Sequence, residues 1–197
     1  MQDELADANF TVVAVALDES PDDVRPWAEG ITLPVLVDAQ HVVTELYAIS
    51  NVPTVVWIDE DDRIVRPNSV AFSTDMFAEF TGAPAGPHLD ALRAWVRDGT
   101  ASISPDEARA AVPDLSDAEI RARLHFRIAT EARRRGDDVT ARRHFERAGE
   151  LAPNDFTIRR AAMPLTGQDP FGAEFMELYQ EWQAAGSPFH GLQPMTD

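Results

Sequence analysis

The side chains that could do chemistry in this 197-residue chain are five histidines, 17 arginines and 34 acids; there is no cysteine and no lysine. Without cysteine there is no thiolate nucleophile, disulfide or sulfur-liganded metal within these residues. His41, His88, His125, His144 and His190 fall at spacings that match neither an H-E-x-x-H helix nor a paired ligand set. The run Asp59, Glu60, Asp61, Asp62 has the charge for calcium. It lacks the D-x-D-x-D-G spacing and the distal glutamate, so it reads as a solvated hairpin turn. Arg133, Arg134 and Arg135 could meet a phosphate, but at a helix C-terminus they complement the helix dipole. No nucleophile–base pair, phosphate loop or dinucleotide fingerprint is visible. The sequence thus assigns no catalytic residue, no cofactor and no metal ligand.

The elements that would position any site follow from apolar periodicity. Thr11–Leu17 is a valine-rich run, the pattern of a strand covered on both faces. Ser20 caps a helix that starts at Pro21 and stops at Gly30, shortened by Pro26. Residues 33–38 (LPVLVD) form a second strand, 40–49 a helix, and 53–58 (PTVVWI) a third strand. Arg63–Val65 then closes a hairpin across the acidic turn. Residues 67–86 read as a loop or lid with a helical turn near Asp75–Phe80, and a helix runs from Pro87 to Asp98. Alternating strands and helices make 1–98 an α/β domain. A linker with one helical turn spans 99–115, a helical domain 116–190, and a tail 191–197.

The segment NVPTVVWIDEDDRIV (51–65) resembles the stretch around the cis-proline of thioredoxin-like proteins, especially the TlpA/ResA branch of disulfide reductases. The resemblance covers about residues 5–98, with a buried strand, DES, a helix, LPVLVD and a helix containing Tyr47 in the family's order; Asp62 departs from its turn glycine. It implies a cis Val52–Pro53 bond. It also implies that Val52 and Pro53 bind substrate, a protein or small thiol/disulfide, beside a redox pair. The expected fold is α/β and thioredoxin-like, lacking its first strand and active-site helix, because QDELADAN reads as the tail of that helix. The redox cysteine or selenocysteine is therefore expected upstream of Met1. Loss of the central strand leaves two open edges that invite dimerisation.

Residues 122–155 resemble a tetratricopeptide repeat, whose period is about 34 residues. With Ala122 as position one, Ile128, Ala129, Ala132, Gly136, Ala141, Phe145, Ala148 and Pro153 fall on the consensus positions, while His125 replaces the usual tryptophan. Small residues at 129, 141 and 148 let two antiparallel helices approach closely. Pro164 and Gly167 break the next register, and Phe171, Phe175, Leu178 and Trp182 make a stripe that caps this C-terminal all-α domain.

The expected function is thiol–disulfide exchange of the TlpA/ResA type, this chain being catalytically silent by itself. The alternative is a non-catalytic scaffold whose tetratricopeptide-like (TPR-like) domain recruits a protein partner. A net charge of -17 makes nucleic acid and anionic membranes poor partners. No apolar run reaches the roughly 18 residues of a membrane helix, and MQDELADANF has no signal-peptide pattern. The expected location is cytoplasmic as written, and extracytoplasmic if an upstream segment exists. The pure 197-residue chain is expected to show no turnover in an insulin-reduction assay; measurable turnover would contradict this account.

Overall fold

The computed structural model describes residues 1–70 and 74–195 of a mixed α/β chain. In order these are β1 (Ala14–Ala16), α1 (Pro21–Ala28), β2 (Val35–Val37), α2 (Val42–Leu46), β3 (Val55–Ile58), β4 (Ile64–Ser69), α3 (Ala78–Thr81), α4 (Ala85–Asp98), α5 (Pro105–Ala111), α6 (Asp117–Arg134), α7 (Asp138–Leu151), α8 (Phe156–Thr166) and α9 (Ala173–Ala184).

The strands form two separate pairs. β1 and β2 lie parallel with Val15 opposite Leu36, and β3 and β4 form an antiparallel hairpin with Trp57 opposite Arg66. Among the described residues no ladder joins the pairs. Val13 and Val15 are 51% and 38% exposed, so one face of the Thr11–Leu17 run predicted to be covered on both faces is uncovered, and Leu36 beside it on β2 is 54% exposed.

Several boundaries differ from expectation, each for a local reason. The first residues are not a helix tail but a 3-10 turn at Ala6–Ala8. Leu5 is fully buried, and ion pairs from Arg93 to Glu4 (2.7 Å) and Arg97 to Asp7 (3.3 Å) tie the turn to α4. Helix α2 is shorter than 40–49. The Asp38 carboxylate accepts the Val42 and Val43 N–H groups at 2.8 and 2.7 Å and starts the helix there; Ala48 at φ 51° prevents its continuation. Strand β4 runs on through Pro67 to Ser69 instead of entering a loop. A register shift between Val55 and Trp57 makes three steps of β4 match two of β3, and a bulge is where a strand tolerates a residue with no N–H. Residues 71–73 of the expected lid lie outside the described residues. The expected linker contains α5, opened by a capping box between Ser104 and Glu107 and packed on β4.

The helical part is built on one hairpin. Ser116 and Glu119 form the capping box that starts α6, Gly136 at φ 77° allows the reversal, and Asp137 caps α7 by accepting Thr140 N–H at 3.0 Å. Ala122, Ala129, Ala141 and Ala148 are almost wholly buried, so the backbones approach closely. Phe126 and Phe145 meet edge to face at 5.6 Å in the space between. Helix α8 closes this core with Ile158, and its Phe156 packs with Phe175, Tyr179 and Trp182 of α9. The alanines leave no long side chains to refill a hole at the centre. Phe126→Ala is therefore expected to lower stability by about 3–5 kcal/mol, measured by urea unfolding.

Candidate functional site

The turn from α2 into β3, residues 47–54, carries both residues singled out for substrate binding. Its backbone is held by partners distant in sequence. Asn68 Nδ2 donates to the Tyr47 carbonyl (2.6 Å), and the Phe156 N–H donates to the Ser50 carbonyl (2.8 Å). Arg123 Nη2 donates to the Ile49 carbonyl at 3.0 Å. The His190 N–H reaches Ser50 Oγ at 3.2 Å, and the Leu192 N–H donates to the Asn68 carbonyl at 2.6 Å. Helices α6 and α8 and the tail thus grip one side of the turn.

Behind these contacts is a buried ion pair. Arg123 Nη2 lies 2.9 Å from Asp155 Oδ2, the two side chains being 1% and 4% exposed. Asp155 Oδ1 accepts from Thr157 Oγ1 (2.5 Å), Thr157 N–H (2.9 Å) and Ile158 N–H (3.2 Å), which starts α8. Burial pushes the Asp155 carboxyl up, opposed by the Arg123 charge and these donors. His41, its ring tilted against Phe126 with centroids 4.4 Å apart, lies at the contact between the α/β and helical parts. Burial lowers its pKa to about 4 although Asp38 opposes the shift, so it is neutral near pH 7.

The free side of the turn holds Val52, half-buried, and Pro53, exposed, joined by a cis peptide bond. Among the described residues, neither the N–H nor the C=O of Val52 makes a hydrogen bond. Such a backbone edge can pair with an extended chain or a short polar ligand. It carries no nucleophile and no titratable side chain of its own.

The other residues weighed from sequence are placed as follows. Asp59 Oδ1 accepts Asp61 and Arg63 N–H at 3.0 and 2.9 Å and Asp62 adopts φ 61°, which makes the acidic run a self-capped turn. Trp57 is buried and stacked on Trp95 at 5.3 Å, while Trp27 is 83% exposed. Arg133 donates to the Leu165 carbonyl, and Arg134 and Arg135 pair with Glu131. Among the described residues no group of three or more His, Asp or Glu could hold a metal ion.

Two constellations escaped the sequence. His125 Nδ1 and His144 Nδ1 lie 2.8 Å apart across α6 and α7, and burial together with His144, Arg147 and Arg121 lowers the His125 pKa. Those flanking cations oppose a metal there. The Arg123–Asp155 pair spans two helices, and no local motif marks either partner. Compared with models of protein families, with curated proteins and with solved structures, the chain matches none.

The tail is fixed by His190 Nε2, 2.5 Å from Glu119 Oε1. Burial raises the Glu119 pKa, but the hydrogen bonds from Ser116 and His190 outweigh it and bring the value from 4.5 to about 2. A depressed carboxyl pKa contributes stability that is fully present above pH 4.5 and is lost as the pH falls towards 2. Glu119→Gln keeps a capping side chain without the charge. It is expected to melt below the wild type at pH 6, the two curves converging by about pH 2; a constant gap across a pH series of thermal melts would refute this assignment.

Proposed function

We propose that this chain is the body of a thioredoxin-like protein of the TlpA/ResA type, whose reaction is thiol–disulfide exchange. In this reading the two strand pairs flank the place of one further strand. The redox cysteine or selenocysteine is carried on that strand and its helix, outside these residues. Val52 and Pro53 present the backbone edge that orients the protein or thiol/disulfide substrate, and a low-pKa thiolate or selenolate at a helix N-terminus makes the attack. The observation that carries the reading is the open Val52–Pro53 edge at the head of β3, together with two strand pairs that no ladder joins among the described residues.

A second reading, a non-catalytic scaffold, is favoured by one feature of α6. Ile120, Leu124 and Ile128 recur every four residues and are 39%, 46% and 46% exposed, an apolar stripe of the kind that receives a protein partner on a TPR-like hairpin. The intact mass of the protein from its native source, compared with 21.8 kDa, separates the two. The exchange reading expects a mass several kilodaltons higher, with an alkylatable thiol or selenol. A mass equal to this sequence overturns it in favour of the scaffold.

A further inference from the structure

The two deeply buried guanidinium groups of the chain are treated differently. Arg123 faces Asp155, whereas Arg66, 3% exposed on β4, has no carboxylate within ion-pair distance among the described residues. Arg66 Nη1 donates to Ser102 Oγ at 2.9 Å, and Nη2 reaches only Ser69 Oγ at 3.4 Å. Among the described residues its Nε has no acceptor. The guanidinium lies 5.6 Å from the Trp57 ring, whose centroid is in turn 5.6 Å from that of His88. Trp57 Nε1 and His88 Nδ1 are likewise buried without a partner among the described residues. Three orphaned nitrogens from β3, β4 and α4 therefore belong to side chains in one contact group. Burial pulls the pKa of Arg66 down, and burial and the Arg66 charge do the same to His88.

A buried charge is ordinarily paired, because the desolvation cost is otherwise uncompensated. Nε and Nη2 form one edge of the guanidinium, the fork that takes two oxygens of a carboxylate or phosphate side by side. A neutral imidazole can present Nδ1 as an N–H donor, and an indole nitrogen only donates. The chemistry left unsatisfied is thus that of donors awaiting an anion. Ser102, which covers Nη1, is itself exposed in the short connection between α4 and α5. We propose that Arg66, with Trp57 and His88, forms a binding site for a small oxyanion, the carboxylate or phosphate group of a ligand. This site is independent of the Val52–Pro53 edge and of the function proposed for it.

Trp57 supplies the readout. Inorganic phosphate and, separately, acetate are titrated into the full chain at constant ionic strength in sodium chloride, following tryptophan fluorescence and thermal melting. At least one of them is expected to give a saturable fluorescence change, with a melting temperature raised by about 5–10 °C at a hundredfold excess over Kd. The tighter of the two identifies a phosphorylated or a carboxylated source. Arg66→Lys keeps the charge without the fork and is expected to weaken binding about tenfold or more. Arg66→Met is expected to abolish it. The proposal is overturned if neither anion gives saturation in the wild type, or if the response survives undiminished in whichever of the two variants is folded.

Discussion

The Arg123–Asp155 ion pair joins α6 to the start of α8, and through the Arg123 bond to the Ile49 carbonyl it bears on the turn before β3. Two charges removed from water cost several kcal/mol each, and mutual attraction offsets that cost only when the remaining donors and acceptors are also met. Asp155 meets most of its share through the first N–H groups of α8 and the Thr157 hydroxyl. Arg123 meets part of its share through the Ile49 carbonyl, a backbone group of the turn before β3. One side-chain pair therefore fixes the start of α8, the position of α6 and the path of residues 47–53.

What rests on that pair is an asymmetric turn. Its inner side takes hydrogen bonds from α6, α8, β4 and the tail, and its outer side leaves Val52 and Pro53 without hydrogen-bond partners among the described residues. A rigid backbone edge is of use for recognition because little conformational freedom is lost when a ligand pairs with it. Each strand pair is a two-stranded ladder, and in the first of them apolar side chains such as Val15 and Leu36 remain in solvent, where a covering layer would lower their free energy.

Much of the architecture was legible because its causes are local. The Ser20 cap, the reversal at Gly136, the small residues at 129, 141 and 148 and the strands before Asp38 and Asp59 follow from residue types within a few positions. The candidate site was legible only as Val52 and Pro53, through likeness of a short segment to a known pattern. What holds it was not, since Arg123 and Asp155 lie 70 residues or more further along the chain and look like ordinary charges on helical segments. The extension of β4 through Pro67 was hidden for a related reason, because a bulge is defined by the partner strand.

From residue types and short spacings alone came the capped start of α1, the end of α4 at Asp98, the tight alanine-lined hairpin, the absence of thiol chemistry within these residues and the net negative charge. Each of these depends on composition or on spacing within one or two turns. Which charges are buried, which face of the Val52–Pro53 turn is free, that His125 and His144 touch, and that Arg66 has no carboxylate within ion-pair distance among the described residues follow only from packing in space. The physical reason is that desolvation and hydrogen-bond satisfaction are set by neighbours in space, and a linear pattern does not carry those neighbours.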